Sequence, residues 1–352
     1  MKIAIVTDSH TGARDDSIVF NRYFIKFFNE IFFPYLDKHN IKTVLHLGDV
    51  FDRRKYANFR TLTTWNEEVF PKLNSYDTHI LLGNHDVYYK NTNSVNAVDV
   101  LLRDYDFKVY EKPETINLGG LDILMVPWIN SENHDESLEA IKNTNAQICM
   151  GHFEIAGFEM NGGHVCQHGL SSSIFKGFDC VFSGHFHHKS KKGNIEYLGS
   201  PYPMNWGDWG SKRGFHIFDT ETREIEFIEN PFQIFHKLYY NDQKQNYTEL
   251  VQGDYSELKD KYIKVIVQKK TNPYYFDLFL ENLNKVNPSD ISVIESIFES
   301  DDYEEDDIDQ TKDTFTILKE CVESTDLDNK NDLVDLLHDI YIEAMSVDST
   351  SG

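Results

Sequence analysis

The sequence has no long apolar run and little cysteine, and both absences narrow the class of protein. No stretch approaches the ~20 consecutive apolar residues of a membrane-spanning helix. The N-terminal MKIAIVTDSH has one basic residue and no small-residue cleavage site, which argues against a secretory signal. The cysteines are Cys149, Cys166, Cys180 and Cys321. They form no CxxC pair, so we expect reduced thiols in a cytoplasmic protein.

Basic residues are also scarce relative to acidic ones. The chain has 34 Lys and Arg against 58 Asp and Glu, a net charge of −24 at pH 7. The segment from Glu299 to the end holds 18 acidic residues and three lysines, a net −15, which leaves −9 for the first 298 residues. Such a balance counts against nucleic acid as a ligand unless local basic patches, metal ions or a partner supply positive charge.

Apolar, β-branched runs alternate with amphipathic stretches through the first part of the chain. The strand-like runs are KIAIVT, KTVLHL, THILL, ILMVPW, AQICM, DCVFS and IEYLG. Residues 17–40 and 59–73 have helical patterns, and GFHIFDTETREIEFIE predicts a hairpin. Because parallel strands buried on both faces are continuously apolar, this rhythm predicts an α/β domain over residues 1–236, with a largely parallel sheet covered by helices.

The remaining chain divides into three further predicted segments. In residues 237–298, the strand-like YIKVIVQ and ISVIES flank the helix-like PYYFDLFLENLNKV, which predicts a small β-α-β cap. Residues 299–310, ESDDYEEDDIDQ, predict an acidic linker or, equally, a solvated loop. Residues 311–346 predict a C-terminal pair of helices.

These C-terminal helices have apolar residues at helical spacing. The residues are Phe315 and Leu318 on the first helix, and Leu333, Leu336, Leu337, Ile340 and Tyr341 on the second. Two short amphipathic helices behind a charged linker cannot bury these faces well alone, so we expect them to dock on another protein. The alternative is a helical hairpin folded back on its own cap.

Five predicted strands of the first domain end in polar groups of one kind. In chain order, the ends are Asp8-Ser9-His10, Gly48-Asp49, Gly83-Asn84-His85-Asp86, Gly151-His152 and Gly184-His185-Phe186-His187. Ligands of α/β sheets bind outside the carboxyl ends of the strands, so we expect these ends to converge on one crevice. A lone histidine at a strand end is weak evidence for a site, whereas five such ends in order predict one.

The residue types at these ends favour divalent metal ions. Carboxylates, imidazoles and an amide oxygen without thiolate suit Mn²⁺, Fe²⁺ or Zn²⁺ rather than a structural zinc site. Seven such groups exceed the needs of one ion, and two ions bridged by one carboxylate would use them all. The pattern therefore predicts a two-metal site of the kind that hydrolyses phosphate esters, with His46 and His188 as candidates to support the ligands.

The order DxH, GDxxD, GNHD, GH and GHxH resembles that of the calcineurin-like metallophosphoesterases. This resemblance implies an α/β (α+β) fold of two packed mixed sheets flanked by helices. More narrowly, YLGSPYPMNWGD after the last motif is similar to the nuclease subunits of SbcCD-type double-strand-break repair complexes, including the T-even bacteriophage branch. The resemblance is strong over residues 1 to about 235 and covers the cap and C-terminal helices only in layout.

The resemblance also implies a role for each motif residue. Asp8, His10, Asp49 and His187 match the ligands of one ion, and Asp49, Asn84, His152 and His185 match those of the other, with Asp49 bridging. His85 matches the general acid that protonates the leaving 3′ oxygen. Some relatives have a histidine three residues after the bridging carboxylate, where this chain has Asp52. We expect Asp52 to orient His85 instead.

Side chains around the motifs favour nucleic acid as the substrate. The candidate phosphate contacts are Arg53, Arg54 and Lys55 after the second motif and Lys189, Lys191 and Lys192 after the fifth. Four aromatic residues near the last motifs are candidates for stacking on unpaired bases, although core or lid packing is the more usual role of such residues: Trp206, Trp209, Tyr202 and Phe186. The resemblance implies a Mn²⁺-dependent nuclease, with Mg²⁺ as the second candidate ion, that digests duplex ends 3′ to 5′ and cleaves single strands.

Two other function classes compete with a nuclease. The same metal chemistry serves enzymes that act on phosphoproteins or small phosphodiesters, although the cap and C-terminal helices disfavour that class. A non-catalytic scaffold is disfavoured because no motif ligand is missing.

In the complexes that the chain resembles, the C-terminal helices of the nuclease bind an SMC-like coiled-coil ATPase. Nuclease subunits there also pair through helices beside the second and third motifs, where this chain has FRTLTTWNEEVFPKL and NSVNAVDVLL. The resemblance therefore implies DNA, an ATPase subunit and a second copy of the chain as partners. Ordinary core helices are the alternative reading of the two stretches.

Overall fold

A computed structural model describes residues 1–161 and 164–295, together with Val322, Lys330, Leu333, Val334 and Leu337. The chain forms two units, Met1–Ser296 and Ile297–Gly352. In the second unit the five described residues are helical, and Leu333 and Leu337 are partly exposed. The predicted linker 299–310 and the docking residues Phe315, Leu318, Leu336, Ile340 and Tyr341 lie outside the described residues. Within the described part of the chain, no helix has the length and apolar character to cross a membrane.

The first sheet of the first unit has six strands and is mixed. Its strands are β1 (Lys2–Val6), β2 (Thr43–His46), β3 (Asp77–Leu81), β4 (Lys108–Tyr110), β13 (Gly214–Asp219) and β14 (Ile225–Glu229). Their order is β14-β13-β1-β2-β3-β4, in which β1 to β4 are parallel. The predicted hairpin β13–β14 is confirmed and joins β1 antiparallel.

A second six-stranded sheet follows in the chain. Its strands are β5 (Glu114–Leu118), β6 (Leu121–Val126), β7 (Ile148–His152), β10 (Cys180–Gly184), β11 (Ser190–Lys192) and β12 (Ile195–Tyr197). The inner strands β12-β10-β7-β6 are parallel, and β11 and β5 form antiparallel edges. Between β7 and β10 the chain forms a small ribbon of β8 (Glu159–Asn161) and β9 (His164–Val165).

Helices cover the outer face of each sheet. Those on the first sheet are α1 (Ala13–Asp16), α2 (Ile18–Phe27), α3 (Phe33–Lys38), α4 (Phe59–Glu68), α5 (Phe70–Leu73) and α6 (Ala97–Leu101), and α7 (His134–Asn143) lies on the second. A π-helical turn, Phe28–Phe32, joins α2 to α3. The predicted two packed mixed sheets flanked by helices are thus confirmed.

Side-chain alternation along the strands divides the apolar residues between two cores. Ile3 and Ile5 of β1 pack in the cluster between the sheets, which includes Met150 of β7. Val6 points to the opposite face and packs with Phe24 and other aromatic residues of the helices. Successive residues of a strand face opposite sides, so one short strand serves both cores and is buried almost throughout.

The cap is a three-stranded parallel sheet covered by a helix. It comprises β15 (Phe235–Asn241), α8 (Tyr247–Val251), β16 (Tyr262–Lys269), α9 (Pro273–Lys285) and β17 (Asp290–Glu295). The predicted β-α-β unit corresponds to β16-α9-β17, and β15 adds a strand beside β16. The expected boundary at residue 236 falls inside β15, whose Phe235 belongs to the core of the first sheet. A strand shared in this way leaves no boundary signal in the apolar pattern.

Candidate metal centre

The five motif-bearing strand ends meet in the first unit. β1, β2 and β3 run parallel in one sheet, and β7 and β10 run parallel in the other. Two groups of donor atoms form there: Asp8, His10 and His187, and Asp49, His152 and His185. Within each group the donor atoms lie within 4.8 Å of one another. Residues up to 179 positions apart in the sequence therefore share one site.

Asp49 lies between the two groups. Its Oδ2 atom is 3.7 Å from His10 Nε2 and 3.3 Å from His152 Nε2. In the first group, His10 Nε2 and His187 Nε2 are 3.0 Å apart, and each lies about 4 Å from Asp8 Oδ1. Asp49 thus has the position that a bridging carboxylate requires.

Asn84 completes the second group. Its Oδ1 atom lies 2.9 Å from His185 Nδ1 and 3.1 Å from His152 Nε2. His152 Nδ1 donates to the carbonyl oxygen of Leu47 at 2.8 Å, which leaves Nε2 as the free ring nitrogen in the neutral ring. The structure thus brings all seven predicted ligands together.

The backbone at these strand ends is in the left-handed region. The φ angles are 54° at Asp8, 42° at His10, 54° at Asp49 and 86° at His185. Non-glycine residues rarely adopt this conformation, and such strain concentrates at functional sites. Glycine is required at position 83 for a steric reason, because a Cβ atom there would lie 2.2 Å from Asp49 Oδ1.

Burial and opposite charges shift the pKa values of the site in both directions. Burial disfavours the charged form of Asp49, but the charge and hydrogen bond of His152 outweigh it and hold the pKa of Asp49 well below its usual value. Burial would lower the pKa of His10, but its interaction with Asp52 and the charges of Asp49 and Asp8 raise it to about 9. The pKa of His152 likewise rises to about 9 against burial, because of Asp49.

The two remaining imidazoles are held neutral. Burial, with the charge of His152, lowers the pKa of His185 to about 3. Burial and the charge of His10 hold the pKa of His187 well below its ordinary value. Neutral imidazole nitrogens and carboxylate oxygens a few ångströms apart form a donor set that suits divalent cations. The residues present thus fit the two ions that the sequence predicts.

His85 and Asp52 contact each other through the backbone. His85 Nδ1 donates to the carbonyl oxygen of Asp52 at 2.5 Å, and the His85 amide donates to Asp49 Oδ1 at 2.8 Å. The Asp52 carboxylate instead lies 3.3 Å from His10 Nδ1. Asp52 therefore contacts His85 through its carbonyl oxygen, while its side chain faces His10. Every residue type offers a carbonyl oxygen, so the sequence alone could not separate these two contacts.

Sequence reasoning missed two residues that shape the site. Asp86 is fully buried and accepts hydrogen bonds from the amides of Phe51 at 3.0 Å and Gly83 at 2.9 Å. It thereby ties the loop after β2 to the loop after β3. Trp128 lies beside the second group, with its ring centroid 5.3 Å from that of His185. The sequence signal for Asp86 was its place at the end of GNHD, and the signal for Trp128 was its place directly after the apolar run ILMVP.

The candidates for support have different surroundings. His46 Nε2 lies 2.9 Å from the hydroxyl of Ser9, between the two ligands of the first motif. His188 Nε2 lies 3.3 Å from Asp208 Oδ1. Neither belongs to the donor groups found among the described residues.

Most of the predicted phosphate contacts have partners within the protein. Arg53 pairs with Asp15 and Asp16, and the ammonium group of Lys55 lies 5.7 Å from the centre of the Tyr88 ring. In the second cluster, Lys189 lies over Phe227, Lys191 pairs with Glu196, and Lys192 donates to the carbonyl oxygen of Gly157.

Arg54 differs from these five residues. Its Nη1 atom is buried and has no hydrogen-bond partner among the described residues. Burial lowers the pKa of Arg54, while the charge of nearby Asp49 opposes this shift. An unmatched guanidinium donor therefore lies within the electrostatic reach of the site.

Two of the four aromatic candidates pack in a core, the role that is more usual for such residues. Tyr202 is fully buried and stacks on Phe24 at 3.7 Å, and Phe186 is buried and stacks on Tyr197 at 4.6 Å. Both rings belong to hydrophobic cores and are inaccessible to bases. Trp209 is 38% exposed, with the ammonium group of Lys237 lying 3.9 Å from its ring centre.

Comparison with known proteins agrees with this geometry. The calcineurin-like phosphoesterase family model matches residues 1–189. Exonuclease subunit 1 of Enterobacteria phage T4 is 33% identical over 353 residues, covering 98% of this chain and 99% of that protein.

Two solved structures show weaker similarity. An archaeal phosphodiesterase is 14% identical, with a TM-score of 0.33 over 65% of this chain and 100% of its own. A protein of unknown function from Aquifex aeolicus is 17% identical, with a TM-score of 0.26 over 43% of this chain and 77% of its own. On the family match and the full-length phage relative, the chain belongs to the calcineurin-like phosphoesterases.

Proposed function

We propose that this protein is the metal-dependent nuclease subunit of a recombination or repair complex. The observation that carries the proposal is the pair of donor groups on either side of Asp49. The phage T4 relative, which is similar over nearly the whole of both chains, is named an exonuclease subunit, and this name supports a nucleic acid as the substrate. The expected reactions are 3′ to 5′ digestion of duplex ends and cleavage of single strands. The alternative is a phosphoesterase that acts on phosphoproteins or small phosphodiesters.

Two divalent ions are the proposed cofactors, with Mn²⁺ as the first candidate and Mg²⁺ as the second. The ligands would be Asp8, His10, Asp49 and His187 for one ion, and Asp49, Asn84, His152 and His185 for the other. Bound in such a pair, divalent ions activate water near neutral pH and offset the charge of a phosphodiester. The protein fixes the spacing and the ring orientations of the donors.

His85 is the proposed general acid. Its Nδ1–H is committed to the carbonyl oxygen of Asp52, which leaves Nε2 to carry the proton that the leaving 3′ oxygen needs. The carboxylate of Asp52 favours a proton on His10 Nδ1 and so leaves His10 Nε2 as the ligand atom. Asp52 is therefore proposed to act on both histidines, through its carbonyl oxygen on one and its carboxylate on the other.

A nuclease assay on end-labelled duplex and single strands tests the proposed activity. With Mn²⁺, His85→Ala should lower kcat by roughly 10²- to 10⁴-fold through loss of the general acid. Mn²⁺ binding should be retained in this variant, whereas Asp49→Ala should lose both binding and activity. The exposed His134 provides the control, and His134→Ala should leave kcat unchanged. Hydrolysis of a phosphopeptide in preference to DNA would favour the alternative function.

Metal binding should release protons at neutral pH. In the metal-free protein the pKa values of His10 and His152 are about 9, so both rings are protonated at pH 7 and must lose that proton to bind an ion. Mn²⁺ affinity should therefore rise as the pH increases from about 6 to 9. Calorimetric titration in two buffers of different ionisation enthalpy measures the released protons. Equal binding enthalpies in both buffers would contradict this prediction.

Arg54 is the strongest of the six proposed DNA contacts. Arg54 as a whole is only partly buried, and no ion pair of its guanidinium occurs among the described residues, so the group is available to pair with a phosphate oxygen. Its neighbour Arg53 already pairs with two aspartates. Lys55, Lys189, Lys191 and Lys192 remain proposed as weaker contacts because each has a partner within the protein.

Substitution of the two neighbouring arginines compares these roles. Arg54→Ala should weaken DNA binding and lower the slope of log affinity against log salt concentration by about 1, because one phosphate contact is lost. Arg53→Ala is the matched control and should have a smaller effect on both quantities. Binding isotherms at several salt concentrations measure them. Equal effects of the two substitutions would contradict the distinction.

We further propose three partner surfaces. The helical segment with Leu333 and Leu337 is the proposed dock for an SMC-like coiled-coil ATPase, in line with the word "subunit" in the name of the T4 relative. The cap is proposed to contribute to DNA binding. A homodimer is proposed through α4 and α6, where Phe59 is 85% and Val100 51% exposed. Large apolar side chains at such exposure are typical of interaction sites when they cluster.

Deletion of residues 310–352 tests the ATPase-docking surface separately from the homodimer surface. The truncated chain should no longer bind the ATPase subunit, because the proposed docking helices are gone. It should keep Mn²⁺-dependent nuclease activity and a molar mass near twice that of one chain, since the site and α4 and α6 lie elsewhere. Pull-down with the ATPase subunit and light scattering after gel filtration measure the outcome. Retained ATPase binding, or a monomer before truncation, would refute the corresponding surface.

A further inference from the structure

The segment between β12 and β13 buries a complete arginine side chain. Arg213 is 2% exposed and is among the largest fully buried side chains of the described chain. Its Nη1 atom donates to the hydroxyl of Ser200 at 2.8 Å and to the carbonyl oxygen of His187. Its Nε atom donates to the hydroxyl of Ser211 at 2.9 Å. Burying a charged guanidinium costs free energy unless an opposite charge pairs with it. Arg213 therefore requires a negative charge nearby.

Asp208 supplies that charge. Its Oδ1 atom accepts from Arg213 Nη2 at 2.5 Å, and its Oδ2 atom accepts from the amides of Met204 and Asn205 at 2.7 and 3.1 Å. Burial would raise the pKa of Asp208, but the interactions with His188 and Arg213 lower it to about 2. The carboxylate therefore stays ionised and holds the guanidinium in one orientation.

The other end of the guanidinium holds the backbone of a proposed metal ligand. The carbonyl oxygen of His187 accepts from Arg213 Nη1 and from the amide of Ser200, at 3.1 Å for the latter. The His187 ring lies on the same residue, with its Nε2 atom 3.0 Å from His10 Nε2. The position of this carbonyl group thus limits where the ring can lie in the first donor group.

The second donor group has different support. His152 is held by the carbonyl oxygen of Leu47, and His185 contacts Asn84 and packs near Trp128. Within the described part of the chain, Arg213 forms no hydrogen bond with any of these side chains. Besides Asp49, the His185 amide links the two donor groups, because it donates to Asp8 at 3.1 and 3.2 Å. Among the ligands, however, the contacts of Arg213 reach only His187.

We propose that Arg213, held by Asp208, is a positioning residue for the ion bound by Asp8, His10, Asp49 and His187, and not for the other ion. The inference rests on the two-metal centre of the proposed function and deepens it. It makes the two ions unequal: one depends on a buried ion pair in the segment that leads to the cap, and the other does not.

Arginine is required at this position by the geometry of its donors. The guanidinium has five N–H groups in a rigid plane, whereas the lysine ammonium has three donors at one point. Lysine would retain the charge that Asp208 needs but could not also reach the His187 carbonyl and the two serine hydroxyls. Arg213→Lys therefore removes the positioning function while leaving a cation beside the buried carboxylate.

Titration of the full-length protein with Mn²⁺ alone tests the proposal. Wild type should bind two ions, and Arg213→Lys should bind one of them roughly 10- to 100-fold more weakly, the usual cost of losing support behind a ligand. The other ion should bind as in wild type. Arg223→Lys is the matched control, because Arg223 is exposed and pairs with Asp179 at the surface. It should leave both ions unchanged.

A double-mutant cycle separates positioning from general damage. His187→Ala should weaken the same ion as Arg213→Lys, and adding Arg213→Lys to His187→Ala should cause no further loss if Arg213 acts through His187. Additive losses would overturn the proposal. Equal weakening of both ions, or wild-type binding in a folded Arg213→Lys protein, would also overturn it. Thermal unfolding without metal establishes that each variant is folded.

A milder variant keeps the test available if Arg213→Lys does not fold. Ser200→Ala removes one acceptor of Arg213 Nη1, and it should weaken the same ion to a smaller extent; no selective effect would overturn the proposal. DNA is absent from these titrations, so the outcome is independent of the proposed substrate. Two ions bound without DNA hydrolysis would refute the nuclease and leave this inference intact. Failure of wild type to bind two ions would refute both.

Discussion

The arrangement of this protein depends on two buried carboxylates that must be matched by positive charge. Asp8 and Asp49 are 0% and 1% exposed, so water does not solvate them. The charges of His10 and His152 offset them in the metal-free chain, and the donor geometry suits divalent cations. The same carboxylates thus explain the raised pKa values of two histidines and the family's use of metal ions.

The double-sheet scaffold makes this concentration of charge stable. Left-handed backbone at non-glycine positions costs of the order of 1–3 kcal/mol for each residue and persists only where the surrounding structure enforces it. β1 is packed on both faces, with Ile5 in the core between the sheets and Val6 in the core beneath the helices. Asp8 and His10 follow directly on this rigid strand, so their strained conformations are held by packing on either side.

The strand ends and the metal-donor residues could be predicted from the sequence, because each is marked by a short local stretch of residues. Apolar runs ending in Gly-Asp or Gly-His predicted where the chain leaves each sheet, and the structure brings those ends together. The burial of individual side chains, which depends on packing, could be predicted less well from the sequence. Tyr202, Phe186 and Trp209 all lie in or near the last motifs. The structure nevertheless buries the first two and leaves Trp209 partly exposed. Likewise, β15 has no separate signal because it serves the cap sheet and the first core together.

The sequence by itself determined which donor types occur, in which order, and on which strands, because ligand chemistry and strand periodicity are properties of short segments. Only the tertiary structure decided which atoms meet. It placed the Asp52 carboxylate beside His10, occupied Arg53 while leaving a donor of Arg54 unmatched, and set Arg213 against the His187 carbonyl. Such contacts depend on how two sheets and their loops pack, and no short stretch of sequence specifies that packing.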